Sequence, residues 1–204
     1  MKEDDAIWPP EVSLHGDHAS LVPLLPAHAP ALAEAVKDGE LWKLWYTHVP
    51  SPDQMGDDIE FRLARRRKGE CLPFTVIERG GGEPVGMTTY WNIDAEHRRV
   101  EIGATWYRRS VQRSAINTEC KRLLLAHAFE VLDCIAVEFR THIFNAPSRR
   151  AIERLGAKLD GILRNHSLGR DGALRDTCVY SIIASEWPTV RRHLDWQLER
   201  VRER

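Results

Sequence analysis

The segment between residues 100 and 141 constrains the fold more than any other part of the chain. Residues 100–107 and 135–141 are rich in β-forming side chains, and residues 118–132 between them carry leucines and alanines at helical spacing. A helix of this length between two strands is a crossover connection, which joins parallel strands with right-handed topology. The segment therefore predicts two adjacent parallel strands linked by a helix.

The order of the remaining elements defines the fold class. Helices come first, followed by antiparallel strands, the strand–helix–strand unit, a short helix and a closing hairpin with Asp171-Gly172 at its tip. The predicted helices span residues 26–39, 51–68, 118–132, 148–155 and 186–204, and the predicted strands lie near residues 14 and 21–25 and at 73–77, 85–93, 100–107, 135–141, 161–168 and 174–183. This order is typical of an α+β chain, in which helices cover both faces of a mixed, mostly antiparallel sheet.

Composition limits the class of protein. The 204 residues are 43% hydrophobic and 29% charged, which favours a folded chain over a disordered one. A formal net charge of -1 gives no reason to expect a nucleic acid or an anionic membrane as partner. The N-terminus lacks an apolar signal segment, and no run approaches the roughly 18 apolar residues of a membrane span. We therefore expect a cytoplasmic protein.

The cysteines and the ends of the chain complete the organisation. The four cysteines form no C-x-x-C pair and no cluster with histidine at zinc spacing, so we expect reduced thiols and no metal site. We divide the chain into an N-terminal arm at residues 1–12, one domain at 13–187 and a C-terminal helical extension at 188–204. We expect a monomer or a homodimer.

The loop between the first strand of the crossover unit and its helix is a candidate anion site. Successive backbone N–H groups at the start of a helix point towards an anion, and the helix dipole favours negative charge there. The small residues Ser114 and Ala115 allow a phosphate to come close. Most loops of this kind bind nothing, so the pattern alone does not identify a ligand.

The same loop resembles motif A of the GNAT acetyltransferase superfamily, whose pattern is Q/R-x-x-G-x-G/A. The resemblance implies that backbone amides of this loop hold the pyrophosphate of coenzyme A. Ala115 and Asn117 stand where the family usually has glycine, and Asn is among the residues that most readily adopt left-handed angles. The coenzyme-binding residues that the resemblance implies are Gln112, Arg113, Ser114, Ala115, Ile116, Asn117 and Thr118.

A second segment, at residues 145–157, resembles motif B of the same superfamily. In the family the matching Asn, here Asn145, contacts the pantetheine arm of coenzyme A. Ser148 can cap the following helix, donate a proton to the leaving thiolate, or do both. Many members have a Tyr in this helix as the proton donor, and Ile152 stands at that position here.

The resemblance covers the order of elements from about residue 14 to residue 187 and is specific over residues 100–157. It is closest to the Rim-type branch, which contains ribosomal-protein N-terminal acetyltransferases. It implies a GNAT fold, with acetyl-coenzyme A as co-substrate and the amine of a small molecule or a protein N-terminus as acceptor.

Glu101 is the candidate general base. An alkylammonium cannot attack a thioester until a group accepts its proton, and a Glu at the matching strand position often does this in the family. The structural alternative is a carboxylate paired with Arg98, Arg99 or an arginine of a neighbouring strand. The resemblance also implies that a backbone N–H after this Glu binds the thioester oxygen, and the candidates are Ala104, Thr105 and Trp106.

The candidate acceptor pocket consists of aromatic and histidine side chains. Aromatic residues combine broad apolar contact with a polar tip, although a place in the hydrophobic core explains many of them equally well. The candidates are Trp45, Tyr46, Tyr90, Trp91, His142 and His166. His142 is also a second candidate base, with a structural role as the alternative.

Two classes of function remain open. The first is an enzyme that moves an acetyl group to an amine. The second is a GNAT fold that binds coenzyme A without turnover, as a sensor or scaffold, which the replacement of the usual acid by Ile152 keeps open. A longer acyl donor is a further alternative.

Overall fold

A computed structural model describes residues 7–169 and 172–202. The strands are β1 (Leu14–His15), β2 (Ala19–Pro23), β3 (Leu72–Glu78), β4 (Pro84–Asp94), β5 (Arg99–Tyr107), β6 (Ala136–His142), β7 (Lys158–Leu168) and β8 (Leu174–Ile183). The α-helices are α1 (Ala29–Lys37), α2 (Met55–Arg67), α3 (Ala115–Ala126), α4 (Ala146–Arg154) and α5 (Trp187–Arg202). Within these residues no helix is long and apolar enough to cross a membrane.

The strands form one mixed sheet in the order β1-β2-β3-β4-β5-β6-β8-β7. Every neighbouring pair is antiparallel except β5 and β6, which are parallel and are joined through α3. The predicted fold class and the predicted parallel pair are therefore confirmed.

The parallel pair is joined over only a short length. Pairing between β5 and β6 is confined to residues 99–101 and 136–138. Beyond that point β5 continues beside β4 and β6 continues beside β8. The two strands therefore splay apart towards their carboxyl ends and leave a wedge-shaped opening in the middle of the sheet.

A β-bulge in β5 lies where the strands separate. The register against β4 shifts between Met87 and Thr89, and Ala104 has a φ of 46°. A non-glycine residue with positive φ is uncommon and adds local strain. Side chains of a regular strand point alternately to the two faces of the sheet, and the extra residue of the bulge shifts this alternation by one. Thr105 therefore points to the other face of the sheet than it would in a regular strand.

Two hydrophobic cores cover the two faces of the sheet. Leu124 of α3, Ile152 of α4 and Leu194 of α5 belong to the core on one face. Leu32 of α1 and Ile59 of α2 belong to the core on the other. Each helix thus buries an apolar stripe against the sheet, as amphipathic helices do in a layered domain.

Both ends of the chain contact the first of these cores. Val190 and Leu194 are buried in it, and both lie in the segment we assign to the C-terminal extension. Near the other end Trp8 packs against the same core. Residues 1–6 of the predicted arm and residues 203–204 lie outside the described residues, as does Asp171 at the tip of the last hairpin.

The predicted starts of two helices were wrong, and the residues that cap these helices explain the difference. α3 begins at Ala115, three residues before its predicted start, because the Ser114 hydroxyl accepts the N–H of Ile116. α4 begins two residues early because Asn145 is its cap and accepts the N–H of Ser148 at 3.2 Å. The interpretation of Ser148 as the N-cap is therefore wrong.

Candidate functional site

Glu101 lies on β5 at the base of the wedge. The residue is buried, with 8% of its surface exposed. The Asn92 amide donates a hydrogen bond to Oε2 at 2.6 Å, and Nε of Arg140 lies 3.6 Å from the same oxygen. A Cβ at Gly103 would lie 2.6 Å from Oε1, so only glycine leaves room for the carboxylate in this position.

The arginines near Glu101 mostly pair with other groups. Arg99 donates to Glu138, and Arg98 lies near Asp133. Arg140 makes shorter contacts with Glu138 than with Glu101. The structural alternative, in which Glu101 is paired with an arginine, rests on the 3.6 Å contact with Arg140 and on the charge of Arg175, which also lowers the pKa of Glu101.

The environment of Glu101 suits a proton acceptor. Burial raises the pKa of Glu101, and the hydrogen bond from Asn92 and the charge of Arg140 offset part of that rise. For Glu138 burial acts in the same direction, but hydrogen bonds from Arg99 and Arg140 hold its pKa below the usual value. A base works best when its pKa lies near the operating pH, so Glu101 is the better base of the two.

The bulge places three backbone groups at the mouth of the wedge. Ala104 is exposed there and Thr105 is half-buried. The side chain of Trp106 packs into the core beneath α1 and α2, so only its backbone can face the wedge. The three residues predicted to supply the oxyanion donor are thus consecutive on β5, beyond Glu101, where its pairing with β6 ends.

The candidate phosphate loop is held in a defined shape. The Gln112 amide donates to the Tyr107 carbonyl at 3.0 Å, and the Ser114 hydroxyl donates to the Val111 carbonyl at 2.7 Å. Arg113 has a φ of 64°. The left-handed residue of the loop is therefore Arg113 and not Asn117, which lies in the first turn of α3.

A cleft of about 420 Å³ opens beside this loop, between the start of α3, α4 and α5. It is lined by Arg113, Ser114, Asn117, Thr118, Arg150, Ala151, Arg154, Gln197 and Leu198. Three of these side chains are arginines, and they surround the positive end of a helix dipole. The cleft therefore suits a phosphorylated ligand.

Two cationic residues of this cleft, Arg150 and Arg154 of α4, were not predicted from the sequence as site residues. Arg154 donates to Thr118 at 3.0 Å and to Gln197 at 2.7 Å, and so links α4 to α3 and α5. Arg150 and Arg154 are four residues apart, a spacing that puts them on one face of α4. That spacing was the available signal, but it does not specify which element the face meets.

The motif B segment provides a capped helix, but no proton donor at the position where many family members have Tyr. The side chain of Asn145 caps α4. Ser148 is half-buried in the first turn. Ile152 is buried in the core, so its position offers no group to the wedge.

An aromatic cluster lies at the end of β6. The ring of His142 is 5.0 Å from that of Trp45, 6.5 Å from that of Tyr46 and 5.7 Å from that of Phe144. Trp45 is 62% exposed and Phe144 is 68% exposed, which is unusual for such large apolar side chains. Phe144 was not predicted as a site residue.

His142 is oriented by a backbone hydrogen bond, and its pKa is lowered. The Phe144 N–H donates to Nδ1 at 3.1 Å, which places the hydrogen of a neutral ring on Nε2. Burial lowers the pKa of His142, and the charge of Arg175 lowers it further. In this tautomer the ring offers a donor to the cluster and not a base.

The other predicted pocket residues lie elsewhere. Tyr90 is fully buried and its hydroxyl donates to the Leu124 carbonyl, so its assignment to an acceptor pocket is wrong. Trp91 lies on the α2 side of the sheet, with Arg62 and Arg65 over its ring. His166 is exposed on β7 and contacts Thr177 of β8, whose register partner on β6 is His142.

Among the described residues, all four cysteines are buried free thiols and no group of three or more His, Cys, Asp or Glu side chains is placed to hold a metal ion.

Known proteins share both the sequence pattern and the fold. A family model described as "Acetyltransferase (GNAT) domain" matches residues 19–158. The chain is 27% identical over 175 residues to the "Putative ribosomal N-acetyltransferase YdaF" of Bacillus subtilis (strain 168), a match that covers 84% of this chain and 94% of YdaF.

Solved structures extend the likeness. A protein described as a "putative acetyltransferase", from T. thermophilus, is 33% identical, with a TM-score of 0.82 and coverage of 94% of this chain and 99% of that one. Mycobacterium smegmatis RimJ in complex with CoA-disulfide is 23% identical, with a TM-score of 0.76 over 93% of this chain and 95% of RimJ. At 23% identity, the similarity to RimJ shows a shared fold and no more.

Proposed function

The chain belongs to the GNAT acetyltransferase family and has relatives in its Rim-type branch, and from this we propose that it transfers the acetyl group of acetyl-coenzyme A to a primary amine. The observation that carries the proposal is the wedge between β5 and β6. It opens between a buried carboxylate with a raised pKa and a cationic cleft at a helix N-terminus.

Coenzyme A is a substrate in this proposal, and the cleft beside α3 is its binding site. Its pyrophosphate lies against the backbone amides of residues 112–118, and Arg113, Arg150 and Arg154 supply positive charge around it. Its pantetheine arm extends into the wedge past Asn145. The loop is already ordered by its own hydrogen bonds, which reduces the entropy lost when the ligand binds.

Glu101 takes the proton of the acceptor amine, directly or through one water molecule. Its burial favours the protonated form of the carboxyl, which moves its pKa towards the operating pH and makes it a better acceptor. Negative charge that develops on the thioester oxygen is stabilised by a backbone N–H at Ala104, Thr105 or Trp106. Ser148, at the start of α4, is one candidate donor for the leaving thiolate.

The aromatic cluster around His142 receives the acceptor. Trp45 and Phe144 present exposed rings, and Tyr46 a half-buried one, that can contact the substituent next to the amine. Trp91 and His166 are further candidates for the same pocket. Exposed aromatic side chains supply large contact areas at low entropic cost. The printed name of the B. subtilis relative supports a protein N-terminus as acceptor, and a small-molecule amine is the alternative.

The remaining parts of the proposal concern the cell and the assembly. The four free thiols suit the reducing cytoplasm. We propose a monomer or a homodimer without nucleic-acid or membrane partners.

The experiment combines binding with turnover. Calorimetry of coenzyme A with the wild-type chain should give one binding site. Incubation with acetyl-coenzyme A and a panel of small amines and N-terminal peptides should release free thiol only when an acceptor is present. Binding without release on any acceptor supports the alternative of a coenzyme A sensor or scaffold, which the buried Ile152 favours, and release only with longer acyl donors supports a different acyltransferase.

A further inference from the structure

Lys121 of α3 is buried beneath the bulge of β5. The residue is 6% exposed, although lysine is almost never buried without a partner of opposite charge. In the part of the chain that the structure describes, no carboxylate forms an ion pair with it. A buried cation without a counter-charge is costly, so its position calls for an explanation.

The amine of Lys121 contacts two hydroxyl groups of the sheet. Nζ donates to Oγ1 of Thr105 at 2.7 Å and to Oγ1 of Thr88 at 3.1 Å, and these two hydroxyls lie 2.8 Å apart. When Thr88 donates to Thr105, the proton of the Thr105 hydroxyl is left to donate; its acceptor in the structure is the Gly103 carbonyl at 3.4 Å, a long contact that a closer acceptor can replace. Thr105 is half-buried there, whereas Thr88 is fully buried.

The groups that face Lys121 are neutral. On β4 and β5 they are the hydroxyls of Thr88 and Thr105, and on α3 the neighbour is the Cys120 thiol, whose pKa burial raises to about 12. Burial lowers the pKa of Lys121 itself to about 7. The lysine can therefore give up and regain a proton near neutral pH.

The bulge puts Thr105 and Glu101 on opposite faces of β5. Val100 and Ile102 belong to the core under α3, so Glu101 between them faces the α2 side. Without the bulge Thr105 would share that side, but the positive φ of Ala104 turns it towards α3. The amine approaches the thioester carbon from one side and the sulfur leaves it in another direction, and the two faces of β5 provide a separate group for each.

The leaving thiolate needs a proton, and in this chain the helix position that carries Tyr in many family members cannot supply it. Ile152 occupies that position with a buried side chain. Ser148 carries a hydroxyl at the start of α4, but no acidic group among its described contacts would restore a proton to it. The Thr105 hydroxyl has such a group within 2.7 Å, which is Nζ of Lys121.

We propose, on the basis of the proposed acetyl transfer, that Thr105 donates the proton that neutralises the thiolate of coenzyme A and that Lys121 is the positioning residue that polarises and reloads it. As the C–S bond breaks, its electron pair stays on sulfur, and the Thr105 O–H proton bonds to that sulfur. A proton of the Lys121 ammonium moves to the Thr105 oxygen, and Lys121 is left as a neutral amine. Solvent reprotonates Lys121 before the next turnover.

A purely structural role is the competing explanation. Lys121 would then hold the bulge in shape, and its loss would disturb the wedge and the binding of coenzyme A together. The proton-donor role predicts a loss of turnover at unchanged affinity, with an altered pH profile.

The test uses Lys121→Met and Thr105→Val, which keep the size of each side chain, beside Ser148→Ala. A control is Thr89→Val, which removes the hydroxyl of the adjacent buried threonine on the α2 side of β4. We expect both relay variants to lose about 10²-fold or more in kcat, the usual contribution of a positioned acid. The coenzyme A dissociation constant should change less than about twofold, and the control should lose less than about threefold in kcat.

The pH dependence separates the explanations further. In the wild type, kcat should fall as pH rises past the pKa of Lys121, because the ammonium is the form that donates. Both relay variants should lack this alkaline fall. Normal turnover in Lys121→Met, or a parallel loss of coenzyme A affinity with an unchanged pH profile, would overturn the proposal, as would a larger loss in Ser148→Ala than in Thr105→Val.

A second measurement does not require turnover. The ultraviolet absorbance of the thiolate reports the ionised fraction of bound coenzyme A at about pH 7, where about half of Lys121 is still an ammonium. A nearby ammonium stabilises the thiolate, so Lys121→Met should lower this fraction. An equal fraction in the two proteins contradicts the role of Lys121, whereas an absence of turnover in the wild type on every amine counts against the proposed function instead.

Discussion

The replacement Lys121→Met should make the protein more stable at neutral pH. In the unfolded chain lysine has a pKa near 10.4, whereas burial lowers the pKa of Lys121 to about 7 in the folded chain. The folded state therefore disfavours the ammonium form. Methionine has a similar length and carries no charge, so it removes the cost of burying that group.

The size of the effect follows from the two pKa values. A difference of about 3.5 in pKa, at about 1.4 kcal/mol per unit, corresponds to a cost of about 5 kcal/mol for the wild type below pH 7. The variant loses two hydrogen bonds, worth about 1–2 kcal/mol together, although Thr88 and Thr105 still bond to each other. The net gain in the free energy of unfolding is roughly 3–4 kcal/mol.

The sign of the pH dependence is fixed by the same values. The folded pKa is depressed, so the unfolded chain binds more protons than the folded chain between about pH 7 and pH 10.4. The wild type consequently gains stability from this group as pH rises through that window. The advantage of Lys121→Met should be constant below pH 7 and should disappear towards about pH 10.4.

Urea unfolding at several pH values measures this difference directly. In thermal unfolding at neutral pH we expect the melting temperature of the variant to be about 5–15 °C higher, because each kcal/mol raises it by roughly 2–4 °C in a chain of this size. Lys37→Met, at an exposed lysine that pairs with Glu34, should change the free energy of unfolding by less than about 0.5 kcal/mol. A variant that is less stable at pH 7, or a difference that does not vary with pH, would refute the reasoning.

Three further predictions concern the proposed site. Glu101→Gln should lower kcat by about 10²–10⁴-fold without weakening coenzyme A binding and should recover in part at higher pH, whereas Glu138→Gln, measured in the same assay, should lose less than about tenfold. Ala115→Asp should weaken coenzyme A binding in calorimetry because the added carboxylate repels the pyrophosphate; unchanged affinity contradicts the placement. Trp45→Ala should raise the KM for the acceptor more than it lowers kcat in steady-state kinetics, and an unaltered KM would remove it from the pocket.

Much of the fold could be predicted because its central unit has a strong local pattern. The helical spacing of apolar residues in residues 118–132, between two β-rich segments, requires a crossover and hence a parallel pair. Cap positions were harder to predict, since both Asn145 and Ser148 are good cap residues and only the structure distinguishes them.

The bulge and its buried lysine could not be predicted from the sequence. Alanine carries no signal for the positive φ found at Ala104, because tertiary contacts impose it. Lys121 occupies what the sequence presents as a polar position of an amphipathic helix, which ordinarily faces solvent. Its burial follows from how closely α3 packs on β4 and β5, a long-range property that no local pattern encodes.

The acceptor side was predicted only in part for a similar reason. Trp45 and Phe144 are far apart in the sequence, and their rings meet 6.0 Å apart in the fold. Aromatic type alone did not separate Trp45, which is exposed, from Tyr90, which is fully buried. Loops that build such surfaces vary in length and shape, so composition carries little information about them.

The most direct test of the account follows the acetyl group itself. The wild-type chain is mixed with acetyl-coenzyme A that carries an isotopic label in the acetyl group, together with the acceptor that releases most thiol. Mass spectrometry should find the label on the acceptor nitrogen, with one free coenzyme A formed for each acetyl transferred. If coenzyme A binds but the label stays on the thioester or is lost to water, the chain is not an N-acetyltransferase for these amines and the central claim is contradicted.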